Sequence, residues 1–217
     1  AGYGAAIILH GTTLQESIGH AISLAESAQM TFIHPYDDEA VIAGQGTIGL
    51  EIVADLPGVT TVIAPVGGGG LIAGIAVAVK ALAPDARVIG VQAAACPSAR
   101  KALERGAPVT IDSEPTIADG IRVTRIGDLA YPLLRDLVES VMEVDEEEIV
   151  HAMYTLLERK KVLAEGAGAA PLAALLSGRV PVKPGEQVVI VISGGNVDPV
   201  LFERVLRKGL FESGRML

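Results

Sequence analysis

From Thr61 to Lys80 the chain reads TVIAPVGGGGLIAGIAVAVK: an apolar, β-branched run enters four consecutive glycines and leaves them as an alanine-rich helical pattern. Four flexible residues in a row are unfavourable to order, so something must approach this backbone where a Cβ would otherwise stand. A glycine loop between a strand and a helix places backbone N–H groups at the positive end of the helix dipole, an arrangement suited to phosphate. The plainer alternative is a tight strand–helix crossing that needs small residues and binds nothing. Two nucleotide loops can be set against the spacing. A Walker loop requires Lys and then Ser or Thr after its glycines, and Leu71 and Ile72 stand there instead. A dinucleotide fingerprint matches loosely as Gly68-x-Gly70-x-x-Ala73, but the next strand ends in Gln92, where ribose recognition wants a carboxylate.

Strand-like and helix-like runs alternate through the rest of the chain. Strands are expected at Ala5–His10, 31–33, 60–65, 87–92, 139–144 and 186–193. Helices are expected over 13–30 with Thr13 as cap, 41–56 with Asp37 and Asp38 at its start, 71–83, 97–106, 145–161 capped by Asp145, 166–178 and 199–210. Three glycines inside the second helix, Gly44, Gly46 and Gly49, call for a packing or ligand reason. The alternation predicts an α/β protein with a parallel twisted sheet and helices on both faces. Half the residues are hydrophobic but only 3% are aromatic, so small and branched side chains must fill the interior, as close helix–sheet packing favours.

Charge and cysteine content exclude several classes. A net charge of −9 leaves no basic face to displace counterions, which argues against a nucleic-acid partner. Cys96 is the single cysteine, so neither an intrachain disulfide nor a cysteine zinc site is possible. No apolar run approaches about 20 residues and no basic-then-apolar leader opens the chain, so a soluble protein of a reducing, cytoplasmic compartment is expected, without a membrane partner. The chain opens almost directly in a strand-like run and closes just beyond a helix-like one, which suggests a fragment.

Beyond the glycine loop, three stretches offer chemistry. VVIVISGGNVD sets Ser193 at the carboxyl end of the last strand, the edge where ligands bind in open α/β sheets; Gly194 and Gly195 then free the backbone, and Asn196 and Asp198 suit a turn and cap. Glu165 precedes a small-residue helix, where the dipole favours a carboxylate. Gly120 ends the irregular segment EPTIADG, a loop able to wrap a ligand. Glu146, Glu147 and Glu148 read as a solvated first helical turn. His10, His20, His34 and His151 lack metal-ligand spacing, and Lys80, Lys160 and Lys161 lie in helical patterns without a carbonyl-binding context.

Three segments in this order, HPYDDEAVIAGQGTIGLEI, PVGGGGLIAGIA and VISGGNVD, closely resemble the threonine dehydratase (threonine ammonia-lyase) and serine racemase family, pyridoxal-phosphate enzymes of the tryptophan-synthase-β type. TIADG and AEGAGAA look like segments of the same family. The resemblance implies the fold type II architecture, with residues 1–35 as a remnant of the small domain and 36–217 as the large cofactor-binding domain. It implies pyridoxal 5'-phosphate as cofactor, its phosphate held by Gly67, Gly68, Gly69, Gly70 and the amide of Leu71, and its ring nitrogen facing the Ser193 hydroxyl. Glu165, Gly120 and Asn196 would lie near the cofactor. The implied reaction converts L-threonine to 2-oxobutanoate and ammonia, with an amino acid as small-molecule partner and a homo-oligomer as the working form. A serine racemase or serine dehydratase, or a non-enzymatic phosphate- or nucleotide-binding module, are the alternatives.

Two family features have no counterpart here. The Schiff-base lysine stands in a motif rich in Ser, Phe, Lys and Arg-Gly, and a Ser-x-Gly-Asn-His stretch binds the substrate carboxylate; neither occurs in this sequence. No catalytic lysine is therefore assigned, and the chain alone is expected not to turn over threonine. Racemase-like members also carry a Glu and an Asp for a divalent cation, where this chain has Gln92, Cys96 and Ser98 in VQAAACPS, so no metal is expected.

Overall fold

The computed structural model describes residues 3–212 and 214–215. Four parallel strands, β1 (Thr61–Pro65), β2 (Arg87–Ala93), β3 (Ser140–Val144) and β4 (Val188–Ile190), form one sheet in the order β3-β2-β1-β4. Pairing is in register from Thr61↔Arg87 on one side of β1 and from Thr61↔Val188 on the other. Side-chain alternation then assigns two cores. Val62, Ala64 and Val88 face a layer containing α3 (Gly70–Leu82) and α5 (Ala130–Leu137), whereas Ile63, Ile89 and Val91 face one containing α6 (Glu146–Thr155) and α7 (Gly166–Leu176). The parallel α/β sheet with helices on both faces is thus the observed fold.

α2 (Glu39–Asp55) lies on α3 rather than on the sheet, and its glycines explain how. A Cβ on Gly49 would stand 2.8 Å from both Ala78 Cβ and Ile75 O, and one on Gly46 would stand 3.2 Å from Gly74 O. The two backbones meet where side chains are absent, the packing reason these glycines required. Gly44 faces open space.

The remaining helices are α1 (Leu14–Ser27), α4 (Ser98–Arg105) and α8 (Pro199–Glu212). Thr13 and Glu16 form a reciprocal capping box on α1, as Asp145 and Glu148 do on α6. Among the described residues no helix is long and apolar enough to cross a membrane.

Several expectations are corrected. Ala5–His10 and 31–33 are not strands: both are irregular, with Ile7, Ile8, Leu9 and Ile33 exposed, because no described strand lies beside them to take their backbone hydrogen bonds. The helix expected to run to 161 leaves α geometry at Leu156 and ends as a π turn over Leu156–Lys160, with Lys161 left-handed. α5 has no counterpart among the expected helices. Its Pro132 falls in the first turn, where a proline is tolerated, and its cap comes from a distant residue: Asp37 accepts hydrogen bonds from the backbone N–H of Asp128 (2.8 Å) and Leu129 (2.9 Å). Asp38 alone caps α2.

Glu146 is likewise more than a solvated carboxylate. It accepts hydrogen bonds from the Thr116 hydroxyl and, at 2.9 Å, from the Ile117 N–H, tying the 114–120 loop to α6. Of its neighbours, Glu147 is exposed and pairs with Lys208, whereas Glu148 is half-buried, closing the capping box and pairing with Arg179. Glu146→Ala should lower unfolding stability by about 1–2 kcal/mol and raise amide exchange at Ile117 and Ala118 selectively. Unchanged exchange there would show the loop to be held by other contacts.

Candidate active site

The strand order fixes where a ligand can bind. From β1 the chain steps to β2 and β3 on one side, and then returns to place β4 on the other. The loops leaving β1 and β4 therefore diverge, opening a crevice at the carboxyl edge. The first of these loops is Gly67–Gly70 and the second holds Ser193. A cavity of about 320 Å³ lies between them, walled also by Tyr36, Leu71, Gly120, Ile121 and Glu165. Eight of the nine residues singled out from sequence line this one space. Asn196 does not, but its N–H donates to the Glu165 carboxylate at 2.9 Å.

The glycine loop meets the requirement that its sequence posed, though protein atoms do the approaching. A Cβ on Gly68 would overlap the Tyr36 ring, and one on Gly70 would overlap the Tyr36 carbonyl oxygen. Gly69 is left-handed at φ 99°, with Ala130 Cβ 2.8 Å from where its own Cβ would stand. Packed in this way, the loop leaves its amides without a partner among the described residues. Among the described residues, the N–H groups of Gly67 through Leu71 donate to no backbone or side-chain oxygen, while the Gly69 carbonyl begins the helix by accepting from Ala73 at 2.9 Å. Orphan donors at the start of a 13-residue helix are an arrangement suited to an anion.

Glu165 caps the opposite wall. Its own N–H donates to the Gly194 carbonyl at 3.1 Å and its carboxylate is pressed so closely on Gly194 that any side chain there would collide with it. The segment after β4 is thereby bound to the start of α7. Ser193 is exposed on the cavity side.

Tyr36 is the site residue that sequence reasoning overlooks, since HPYDDEA reads by itself only as a turn. The His34 imidazole nitrogen accepts from the Asp37 N–H at 2.8 Å and folds the turn so that the Tyr36 ring lies on the glycines. Burial, and then the Asp37 carboxylate, push the Tyr36 phenol above its ordinary value. Cys96 is buried, and burial likewise raises its thiol, leaving it inert.

These residues fit a phosphate-bearing ligand with a polar ring: a loop of unpaired amides, a hydroxyl and a carboxylate on the far wall, and Ile121 and Val123 between them. The fold and this site define a parallel α/β enzyme of the pyridoxal-phosphate class. The chain belongs to that family: residues 1–194 match the family described as pyridoxal-phosphate dependent enzyme. It is 49% identical over 212 residues to the L-threonine ammonia-lyase of Thermotoga maritima, covering 98% of this chain and 52% of that protein. It is 47% identical over 197 residues to the catabolic L-threonine dehydratase of Escherichia coli K12, covering 90% of this chain and 60% of that one. Among solved structures, the threonine deaminase of T.th. superposes with a TM-score of 0.84 at 40% identity, over 91% of this chain and 65% of that one. Maize serine racemase superposes with a TM-score of 0.86 at 35% identity, over 98% and 65%. The chain spans about half to three-fifths of the length of the curated relatives it matches.

Proposed function

We propose that the enzyme carrying this chain is a pyridoxal-phosphate-dependent L-threonine ammonia-lyase. The observation that carries the reading is the joining of the orphan amides of Gly67–Leu71 and the Ser193 hydroxyl in one cavity, in a chain whose relatives bear that name. The amides and the α3 dipole would bind the phosphate. The bound cofactor supplies an electron-withdrawing ring that acidifies the α-carbon of an amino acid. Ser193 would meet the ring nitrogen with a neutral hydroxyl. Unlike a carboxylate it cannot hold that nitrogen protonated, and a milder sink suits loss of a β-hydroxyl. Gly120 and Ile121 would wall one face of the ring, with Glu165 and Asn196 fixing the loop that carries Ser193. L-Threonine loses its α-proton and β-hydroxyl as water, and the enamine then hydrolyses to 2-oxobutanoate and ammonia.

The reading keeps residues 1–35 as part of a small domain and 36–217 as the cofactor domain. Its support is that the four strands of the described residues fall between 61 and 190 and that Ala25 is the one buried residue of α1. Cytoplasmic residence and a homo-oligomeric form belong to the same proposal, on the family resemblance.

Product analysis tests it. With L-threonine, L-serine and D-serine as substrates, 2-oxobutanoate from L-threonine should form fastest. Serine inversion outpacing elimination would make the enzyme a racemase. No retention of pyridoxal phosphate after borohydride reduction would leave only a phosphate-binding module.

A further inference from the structure

Gln92 stands one residue before the end of β2, near the carboxyl edge of the sheet, and is fully buried. Every polar atom of its side chain is engaged. Oε1 accepts from the N–H groups of Ala99 and Arg100, each at 3.1 Å, two of the orphan donors at the start of α4. Nε2 donates to the Val66 carbonyl at 3.2 Å and lies 3.5 Å from the Ser98 hydroxyl. Chemistry fixes this orientation, since two N–H groups face one end of the amide and a carbonyl faces the other. Ser98 in turn donates to the Val123 carbonyl at 2.6 Å, and the Val123 N–H donates to Ile121 at 2.9 Å.

The two ends of this network are the two walls of the cavity. Val66 leads directly into Gly67, and Ile121 and Val123 line the adjoining wall. The walls nearly touch: a Cβ on Gly67 would stand 3.1 Å from the Ile121 Cα. An aliphatic side chain could fill the volume of Gln92, but it would join nothing. A satisfied buried amide instead fixes one spacing.

We infer that Gln92 is a positioning residue of the cofactor site, setting the separation of the glycine loop from the 121–123 wall through Val66 on one side and Ser98 on the other. It touches no ligand itself. The inference rests on the reading of this cavity as the pyridoxal-phosphate site, and it assigns a task to a residue that the sequence offered only as a missing ribose or metal ligand.

Gln92→Glu separates the two ends of the amide. The introduced carboxylate still accepts from Ala99 and Arg100 but cannot donate to Val66. In the enzyme carrying this chain, equilibrium dialysis at about pH 8 should show pyridoxal-phosphate affinity about tenfold below the parent's. Toward about pH 5.5 the introduced carboxyl takes up a proton and regains a donor, so the ratio to the parent should move back toward one. The charged or titratable groups on surrounding elements are Arg100, Lys101, Glu104 and Arg105 on α4, Arg87 on β2, Glu143 on β3, Arg122 on the 121–123 wall and Cys96 in the turn; β1 and Val66 contribute none. The parent has all of them, so the ratio at each pH isolates the introduced group.

Ser98→Ala, which cuts the link to Val123 together with the long contact from Gln92 Nε2, should weaken binding about threefold with no such pH trend. It decides the matter if Gln92→Glu does not fold: parental affinity in Ser98→Ala would overturn the inference. A melting temperature that falls while the affinity ratio stays flat across pH would also overturn it, as a purely structural role. A parent that fails to bind pyridoxal phosphate would remove the cofactor reading and the inference together. A parent that binds, with variants that match it, removes the inference alone.

Discussion

Gly69→Asp is expected to weaken pyridoxal-phosphate binding about a hundredfold or more, and Gly69→Asn by about tenfold or less. The pair separates shape from charge. Residue 69 is left-handed at φ 99° and its side chain would be directed at Ala130 and Ile126, behind the loop. Asp and Asn strain that position alike, and both are among the residues that tolerate it best. They differ by one negative charge beside amides proposed to hold a phosphate. Across the loop, a carboxylate about 8 Å from a phosphate of about −2 charge is opposed by about 4 kcal/mol at an effective dielectric of about 20, more than the hundredfold loss requires. Titration of both variants with pyridoxal phosphate, and with inorganic phosphate as a second probe, checks the expectation. Equal affinities would show that the loop is needed for packing and not for phosphate.

The second large effect concerns the fold. Gly74→Val should destabilise the protein by about 3 kcal/mol, read from chemical denaturation. A Cβ on Gly74 would overlap the Ile42 carbonyl and stand 2.6 Å from the Gly46 N–H, both backbone groups of α2, so the helices must separate. Gly44 supplies the control, since it sits inside α2 with open space where its Cβ would go. Gly44→Ala should therefore stabilise by up to about 1 kcal/mol, the ordinary gain of alanine over glycine in a helix. Adding a side chain thus has opposite expected signs at two glycines of one helix pair. A Gly74→Val loss of less than about 1 kcal/mol would mean that α2 and α3 can slide apart freely.

Local pattern carried the sheet and most of its helices because their signals are local. β-branched runs, the caps Thr13 and Asp145, and the switch between periods of 2.0 and 3.6 all act within a few residues. Failures came where a partner is remote. α5 takes its cap from Asp37, far back along the chain, and no window of sequence around α5 contains that carboxylate. The runs at 5–10 and 31–33 have strand-like composition, yet a strand exists only through pairing, and no described neighbour pairs with them. Glu146 looks like any first-turn glutamate until the fold brings Thr116 and Ile117 to it.

The candidate site divides along the same line. Sequence alone determined that a glycine loop follows a strand and opens a helix, that Ser193 follows the last strand, and that their motifs resemble one cofactor family. These are properties of covalent order and short-range geometry. Only the tertiary structure decided that both loops leave adjacent strands at a point where the chain reverses direction across the sheet. It also brought the Tyr36 ring onto Gly68 and turned Gln92 inward between the cavity walls. Strand order is set by burial on both faces of the sheet, a long-range energy that no single segment carries.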